Sequence, residues 1–280
     1  GKHQATPSEG MVAKIPVLTG ETTTGTIMTF GYNPYLSEWS PFHGALYAVL
    51  EAVAKVVALG GDYKQTRLTL QEYFQKLGQD EKIWGKPVSA LLGAYYAQKQ
   101  LGIPAIGGKD SMSGTFEDLH VPPTLVAFAV SPVKVTQAVS QEFKAAKHQV
   151  IFLPVVRNEA SLPDFEKIKQ LYTKIHQFIQ KEKVIASYTV KMGGIAEAVS
   201  KMCFGNKLGF EFAKEFTAKQ LFSPGYCSII LELPQESDWE QHFSSSEAIL
   251  LGYTQEKPVI AVNGVEIAID EAIQAWQETL

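Results

Sequence analysis

The chain has 280 residues, 45% hydrophobic and 19% charged, with a formal net charge of −4. That length allows one large domain or two of ordinary size, and the composition is that of a globular protein. Mixed charge without a basic patch gives no electrostatic reason to expect nucleic acid or a membrane surface as partner.

Taken in chain order, residues 1–10 are polar and lack hydrophobic periodicity, so they are expected to be a disordered lead or a cleavage scar. Val12 to Leu18 and Thr26 to Tyr32 alternate as strands do. From His43 to Leu59, apolar residues at Leu46, Val49, Leu50, Val53, Val56 and Val57 have helical spacing, and Gly60-Gly61 signals the end. Arg67 to Leu70 reads as a short strand, Gln71 to Leu77 as a short helix, and Ala90 to Gln100 as a long helix capped by Ser89 after a polar excursion over Trp84–Pro87. Thr124 to Val130 is a strongly apolar strand. "QVIFLPV" opens the second half, and Asp164 to Lys181 forms an amphipathic helix through Phe165, Ile168, Leu171, Ile175, Phe178 and Ile179. Gly193-Gly194 opens a helix through Phe204. Strands follow at Gly209–Ala213, Cys227–Leu233, Ala248–Tyr253 and Pro258–Ile269, and a helix at Glu271–Glu278 closes the chain. Helices and strands without regular βαβ alternation predict an α+β fold with domains over 11–140 and 141–280.

Three stretches could carry chemistry. Gly107 to Gly114, "GGKDSMSG", has the glycines, cation and hydroxyls of a phosphate-binding loop without being a Walker A sequence. Backbone N–H groups of Gly107 and Gly108, the Lys109 charge, Asp110, and the Ser111 and Ser113 hydroxyls make it a candidate substrate or phosphate site; a tight loop-to-strand junction explains the same residues. Glu51 and Lys55 lie four apart on one helix face, the spacing of an ion pair. Lys191-Met192-Gly193-Gly194 precedes a helix whose free N–H groups could hold an anion, although the glycines could equally serve packing. His43 reads as a helix-start residue. Cys203 and Cys227 sit in apolar runs without metal-ligand spacing and read as reduced core residues. With no signal peptide and no apolar run near the ~18 residues of a membrane span, the expected location is cytoplasmic.

Several runs together resemble a known family. "LGIPAIGGKDSMSGTFEDLHVPPTLVAFAVSPV", "SEWSPFHGALYAVLEAVAKVVALGG", "WGKPVSALLGAYYAQKQLG" and "VKMGGIAEAVSKMCFGNKLGFEF" are similar to the second synthetase half of long, single-chain phosphoribosylformylglycinamidine (FGAM) synthase. The resemblance spans residues 11–280. It implies an aminoimidazole ribonucleotide (AIR) synthetase-like fold, with an N-terminal α/β domain and a C-terminal α+β domain. It also implies a role in the ATP- and glutamine-dependent conversion of formylglycinamide ribonucleotide (FGAR) to FGAM in purine biosynthesis. The implied cofactors are ATP and magnesium for the full enzyme. The implied partners are the first synthetase half and a glutaminase domain; the fragment alone is expected to be inactive and to pair with itself as a homodimer.

Departures from the family pattern shape the site expectation. Many relatives carry Glu and, four residues on, Asn as magnesium ligands, and an Asp-x-Ser-Asp-Gly-Gly run at the start of the C-terminal segment. Here Glu51 is kept, Lys55 stands at the Asn position, and the run reads Thr189-Val190-Lys191-Met192-Gly193-Gly194. A degenerate nucleotide site is therefore expected at Glu51, Lys55, Thr189, Lys191, Gly193 and Gly194, with Lys55 and Lys191 pairing with Glu51 and filling the place of the metal. No metal is expected, Glu51 being its ligand only if the site is retained, and no cofactor is expected on the fragment. The rival expectation is a non-catalytic scaffold that keeps the fold. Selenophosphate synthetase and thiamine-monophosphate kinase are disfavoured because no Asp-rich nucleotide motif is found in the N-terminal half.

Overall fold

The computed structural model describes residues 2–278. The first half holds β1 (Met11–Lys14), β2 (Thr24–Gly31), α1 (Pro34–Trp39), α2 (Pro41–Ala58), β3 (Arg67–Tyr73), α3 (Glu81–Leu101), β4 (Ala105–Lys109), the small hairpin β5 (Thr115–Phe116) and β6 (Leu119–His120), and β7 (Thr124–Lys134). Its main sheet has the order β1-β2-β7-β3-β4, antiparallel except for the parallel pair β3/β4. The second half holds β8 (Gln149–Leu153), α4 (Phe165–Gln180), β9 (Ala186–Thr189), α5 (Gly194–Phe204), β10 (Gly209–Phe212), α6 (Ala218–Phe222), β11 (Ile229–Leu233), β12 (Ile249–Gln255), β13 (Val259–Val262), β14 (Val265–Ala268) and α7 (Ile269–Gln277). These strands make a seven-stranded sheet in the order β14-β13-β10-β12-β8-β11-β9.

Helix α2 joins the halves. Ser40 caps it by accepting from the His43 N–H, and Pro41 occupies a first-turn position where a missing N–H costs nothing. It packs on β2, β7 and α3 and reaches α4 and β9, so one apolar core runs from Ile27 through α2 to Leu231. Among the described residues it is the one helix long and apolar enough to cross a bilayer, and 78% of it is buried inside the protein. The α2–α3 crossing is close because Gly93 has no side chain: a Cβ there would lie 2.0 Å from the Phe42 carbonyl oxygen. A second core, from Phe143 to Ile269, lies on the other face of the seven-stranded sheet beneath α5 and α7.

Strands β2 and β7 alternate cleanly. Ile27, Thr29, Leu125, Ala127 and Ala129 face α2, while Met28, Phe30, Phe128 and Val130 stay exposed on the opposite face as the cross-strand pairs Met28/Val130 and Phe30/Phe128.

Four local expectations are corrected. Gln71–Tyr73 is strand, not helix, because β3 is hydrogen-bonded on both sides, to β7 and β4. Helix α3 starts at Glu81, capped by Asp80, and runs through Trp84–Pro87, with Pro87 buried inside it. Pro258–Ile269 is not one strand but the hairpin β13/β14, turned by Asn263 (φ 51°) and Gly264 (φ 77°), the positive-φ pair of a two-residue hairpin loop. The polar lead is not loose: Thr6 and Glu9 are buried, and the Thr6 hydroxyl donates to the Lys201 carbonyl (2.6 Å) and accepts from the Gly205 N–H (2.8 Å). A polar segment becomes ordered there because its side chains finish the open end of α5.

Candidate functional site

The residues of the expected nucleotide site converge. Glu51 and Lys55 come from one face of α2, Thr189 from the end of β9, and Lys191 and Gly193 from the turn into α5. With Tyr32, Asn33, Glu197 and Tyr226 they surround or adjoin a cleft of about 360 Å³. The charges inside are already paired. Lys55 Nζ lies 2.6 Å from Glu51 Oε1, donates to the Phe30 carbonyl at 2.8 Å and sits 4.8 Å from the Phe30 ring centroid. Lys191 does not pair with Glu51 as expected; its Nζ lies 2.7 Å from Glu9 Oε1.

Glu9 is the residue that sequence reasoning missed. Its side chain is wholly buried, and its second oxygen accepts from the Thr189 N–H (3.1 Å) and the Thr189 hydroxyl. Thr189 is thus turned to a carboxylate of the same chain. Burial works to lower the Lys191 pKa, but the Glu9 carboxylate outweighs it and holds the ammonium well above its ordinary range. Nothing local in "PSEGM" marks Glu9, since its partners are about 180 residues away.

The N-terminus of α5 is closed the same way. Glu197 folds back so that its Oε2 accepts the Gly193 N–H at 2.8 Å, and its other oxygen pairs with Lys201. Burial would raise the Glu197 pKa, but Lys201 and the Gly193 N–H together hold it below the usual carboxylate range. The helix end that could have held a phosphate is filled by a carboxylate of its own first turn. Burial, reinforced by Glu51, pushes the Tyr226 hydroxyl up to about 12; it accepts from Asn33 Nδ2 at 2.9 Å.

Magnesium does not fit this donor set. It requires octahedral oxygen ligation with carboxylates free to bind, whereas the Glu9, Glu51 and Glu197 carboxylates each hold a lysine. Among the described residues no group of three or more His, Cys, Asp or Glu side chains could hold a metal.

The Gly107–Gly114 stretch lies elsewhere, at the β4 edge of the five-stranded sheet. Gly107, Gly108 and Lys109 pair in parallel with Thr69, Leu70 and Gln71. The Ser111 N–H donates to the Glu72 carbonyl (3.1 Å) and the Gly114 N–H to the Phe74 carbonyl (2.9 Å), so these donors serve the sheet and do not converge on an anion. A two-residue strand, not a helix, follows. Gly108 is required by packing, since a Cβ would sit 2.4 Å from the Leu70 carbonyl oxygen. The Ser111 and Ser113 hydroxyls bond each other at 2.8 Å. Lys109 and Asp110 line a separate cleft of about 260 Å³ together with Glu72, Leu70 and Leu91. Burial, with Asp110 adding to it, pushes the Glu72 carboxyl up to about 7.

The remaining candidates are structural. His43 Nδ1 meets the Ser40 hydroxyl and its Nε2 the Ala160 carbonyl, tying the start of α2 to the second half. Cys203 and Cys227 are free, buried thiols whose pKa values burial drives far upward.

No protein-family model matches the chain. A curated relative, the FGAM synthase subunit PurL of Thermoplasma volcanium, is 21% identical over 284 residues, covering 91% of this chain and 37% of the relative. Among solved structures, T. maritima PurL complexed with AMPPCP superposes with a TM-score of 0.74 at 14% identity, over 96% of this chain and 47% of that one. Over nine-tenths of its length the chain is similar to FGAM synthase subunits. T. maritima PurL has also been solved with FGAR. AaThiL, complexed with AMPPCP and TMP, matches with a TM-score of 0.61 at 13% identity, covering 93% of this chain and 88% of that one. The fold is AIR synthetase-like, and the chain spans less than half the length of the FGAM synthase subunits it matches.

Proposed function

We propose that the chain is one synthetase half of an FGAM synthase, whose full form converts FGAR, ATP and glutamine to FGAM, and that this half supports the active site without performing turnover itself. The observation that carries the non-catalytic role is the cleft at Gly193, where Glu9, Glu51 and Glu197 are each held by a lysine of the same chain. A nucleotide with its magnesium would have to break these pairs and leave the buried Glu9 and Lys55 charges unpaired, a cost of several kcal/mol. The cleft thus acts as a closed structural element, and ATP and magnesium belong to the complete enzyme.

The proposed partners are the other synthetase half and a glutaminase domain. The exposed apolar pairs Met28/Val130 and Phe30/Phe128 support docking through the first sheet, and in isolation the same face pairs two copies of the chain. The scaffold alternative rests on the same face and differs in what the full enzyme requires of this half.

Two measurements test the reading. Calorimetric titration with MgADP is expected to give no micromolar binding; micromolar binding lost in Glu51→Ala would overturn it. The chain supplied with FGAR, MgATP and ammonium chloride is expected to form no FGAM. Ammonium removes the need for a glutaminase, so turnover would show an autonomous catalyst.

A further inference from the structure

Four glutamates are buried among the described residues: Glu9, Glu72, Glu142 and Glu232. Three have their charge answered inside the protein. Glu9 holds Lys191 and Thr189, Glu142 holds Lys144, and Glu232 holds His148 and the Lys144 N–H. Glu72 does not: 5% exposed, its carboxylate has no hydrogen bond or ion pair among the described residues, and it lines the cleft between β3, β4 and α3. A buried carboxylate without a partner is costly, so a fold that keeps one facing a cavity leaves room for a partner from outside.

The cleft fixes the character of that partner. Asp110, at the end of β4, lies in the field of Glu72 and also has no hydrogen bond or ion pair among the described residues. Two neighbouring carboxylates repel an anion and attract a cation. Leu70 and Leu91 form apolar walls, and a Cβ at Gly107 would meet nothing within 4 Å, leaving that wall open. Metal ions fit poorly, since two carboxylates without a third acidic, His or Cys donor do not complete a coordination shell. An organic cation fits better, its carbon against the leucines and its N–H donors on the carboxylates.

We propose that the cleft between β3, β4 and α3 binds a small organic cation bearing N–H donors, of the amidinium or primary ammonium type, on the Glu72 and Asp110 carboxylates. Lys109 at the exposed rim is the one cation of the lining and favours a ligand with an anionic group on its outer side. The charged groups at Glu72 are Asp110 and Lys109 from β4 and the loop after it. Helix α3 contributes Leu91, and β7, paired with β3 at this position, contributes Leu125. Binding requires the ionised form of Glu72, so affinity rises as pH rises through the carboxyl's value of about 7.

The test uses acetamidinium chloride and methylammonium chloride as probes, with sodium chloride and magnesium chloride at matched ionic strength as controls, read by calorimetry and thermal midpoint. Saturable millimolar binding of at least one organic probe is expected at pH 8, about 10-fold weaker at pH 6 where roughly a tenth of Glu72 is ionised. Glu72→Gln should weaken it at least ~10-fold while keeping the fold by circular dichroism, and Asp110→Asn on the exposed loop should weaken it less. Three results overturn the proposal: no saturation by either probe, equal binding by Glu72→Gln, or equal binding by magnesium. The inference is independent of the synthetase reading, because no ATP or FGAR enters the assay and its failure leaves the MgADP test untouched.

Discussion

Glu72→Gln offers a stability measurement whose sign and size follow from the structure. The Glu72 carboxyl is held at about 7 in the folded protein against an ordinary 4.5, because burial and then Asp110 disfavour its charge. A carboxyl raised on folding binds its proton more tightly in the native state. Its contribution is therefore fully present below pH ~4.5 and is lost as pH rises through about 7. The gap of about 2.5 pH units corresponds to an upper value of about 3.4 kcal/mol at ~1.36 kcal/mol per unit. Relaxation of the cleft and entry of water reduce this, and about 2 kcal/mol is expected. Glutamine keeps the shape and cannot ionise. Urea unfolding of both proteins at pH 5 and pH 8 isolates the effect, since carboxylates common to both cancel in the difference. The variant should gain about 2 kcal/mol on wild type between the two pH values, without a change in m-value. Equal pH dependence in the two proteins would refute the claim that Glu72 is buried without a partner.

Other outcomes follow from the same contacts. Lys191→Met leaves the wholly buried Glu9 without its cation and should cost about 3–5 kcal/mol, most of it recovered in the double variant with Glu9→Gln, as urea unfolding will show. Gly93→Ala should cost about 1–3 kcal/mol or more by thermal melting, because its methyl meets the Phe42 backbone where α2 and α3 cross. Phe128→Lys on the open sheet face should convert a self-paired chain to monomer in light scattering, with little loss of stability because the residue is 40% exposed.

Helix α2 was legible from His43 onward because its apolar residues recur at helical spacing, and the Ser40 cap then places its first residue at Pro41. The same holds for α4 and for the glycines that open α5. The Asn263-Gly264 turn is equally local, but it sits inside a longer apolar run that masks it. Strand β3 beyond Leu70 was not legible, because its conformation is imposed by neighbours on both sides. Pro87 stays inside α3 because the helix is held against α2, so tertiary packing offsets the lost backbone hydrogen bond.

The sites divide along the same line. Sequence by itself determined which residue types stand at the degenerate positions, that Lys55 would meet Glu51, and that "GGKDSMSG" follows an apolar segment. Only the tertiary structure decided that Lys191 answers Glu9, that Glu197 closes the start of α5, and that the glycine-rich run begins as the end of an edge strand whose neighbouring cleft is acidic. The physical reason is range. Caps, turns and i,i+4 pairs act within a few residues, whereas charge neutralisation and burial depend on which distant segments share one small volume.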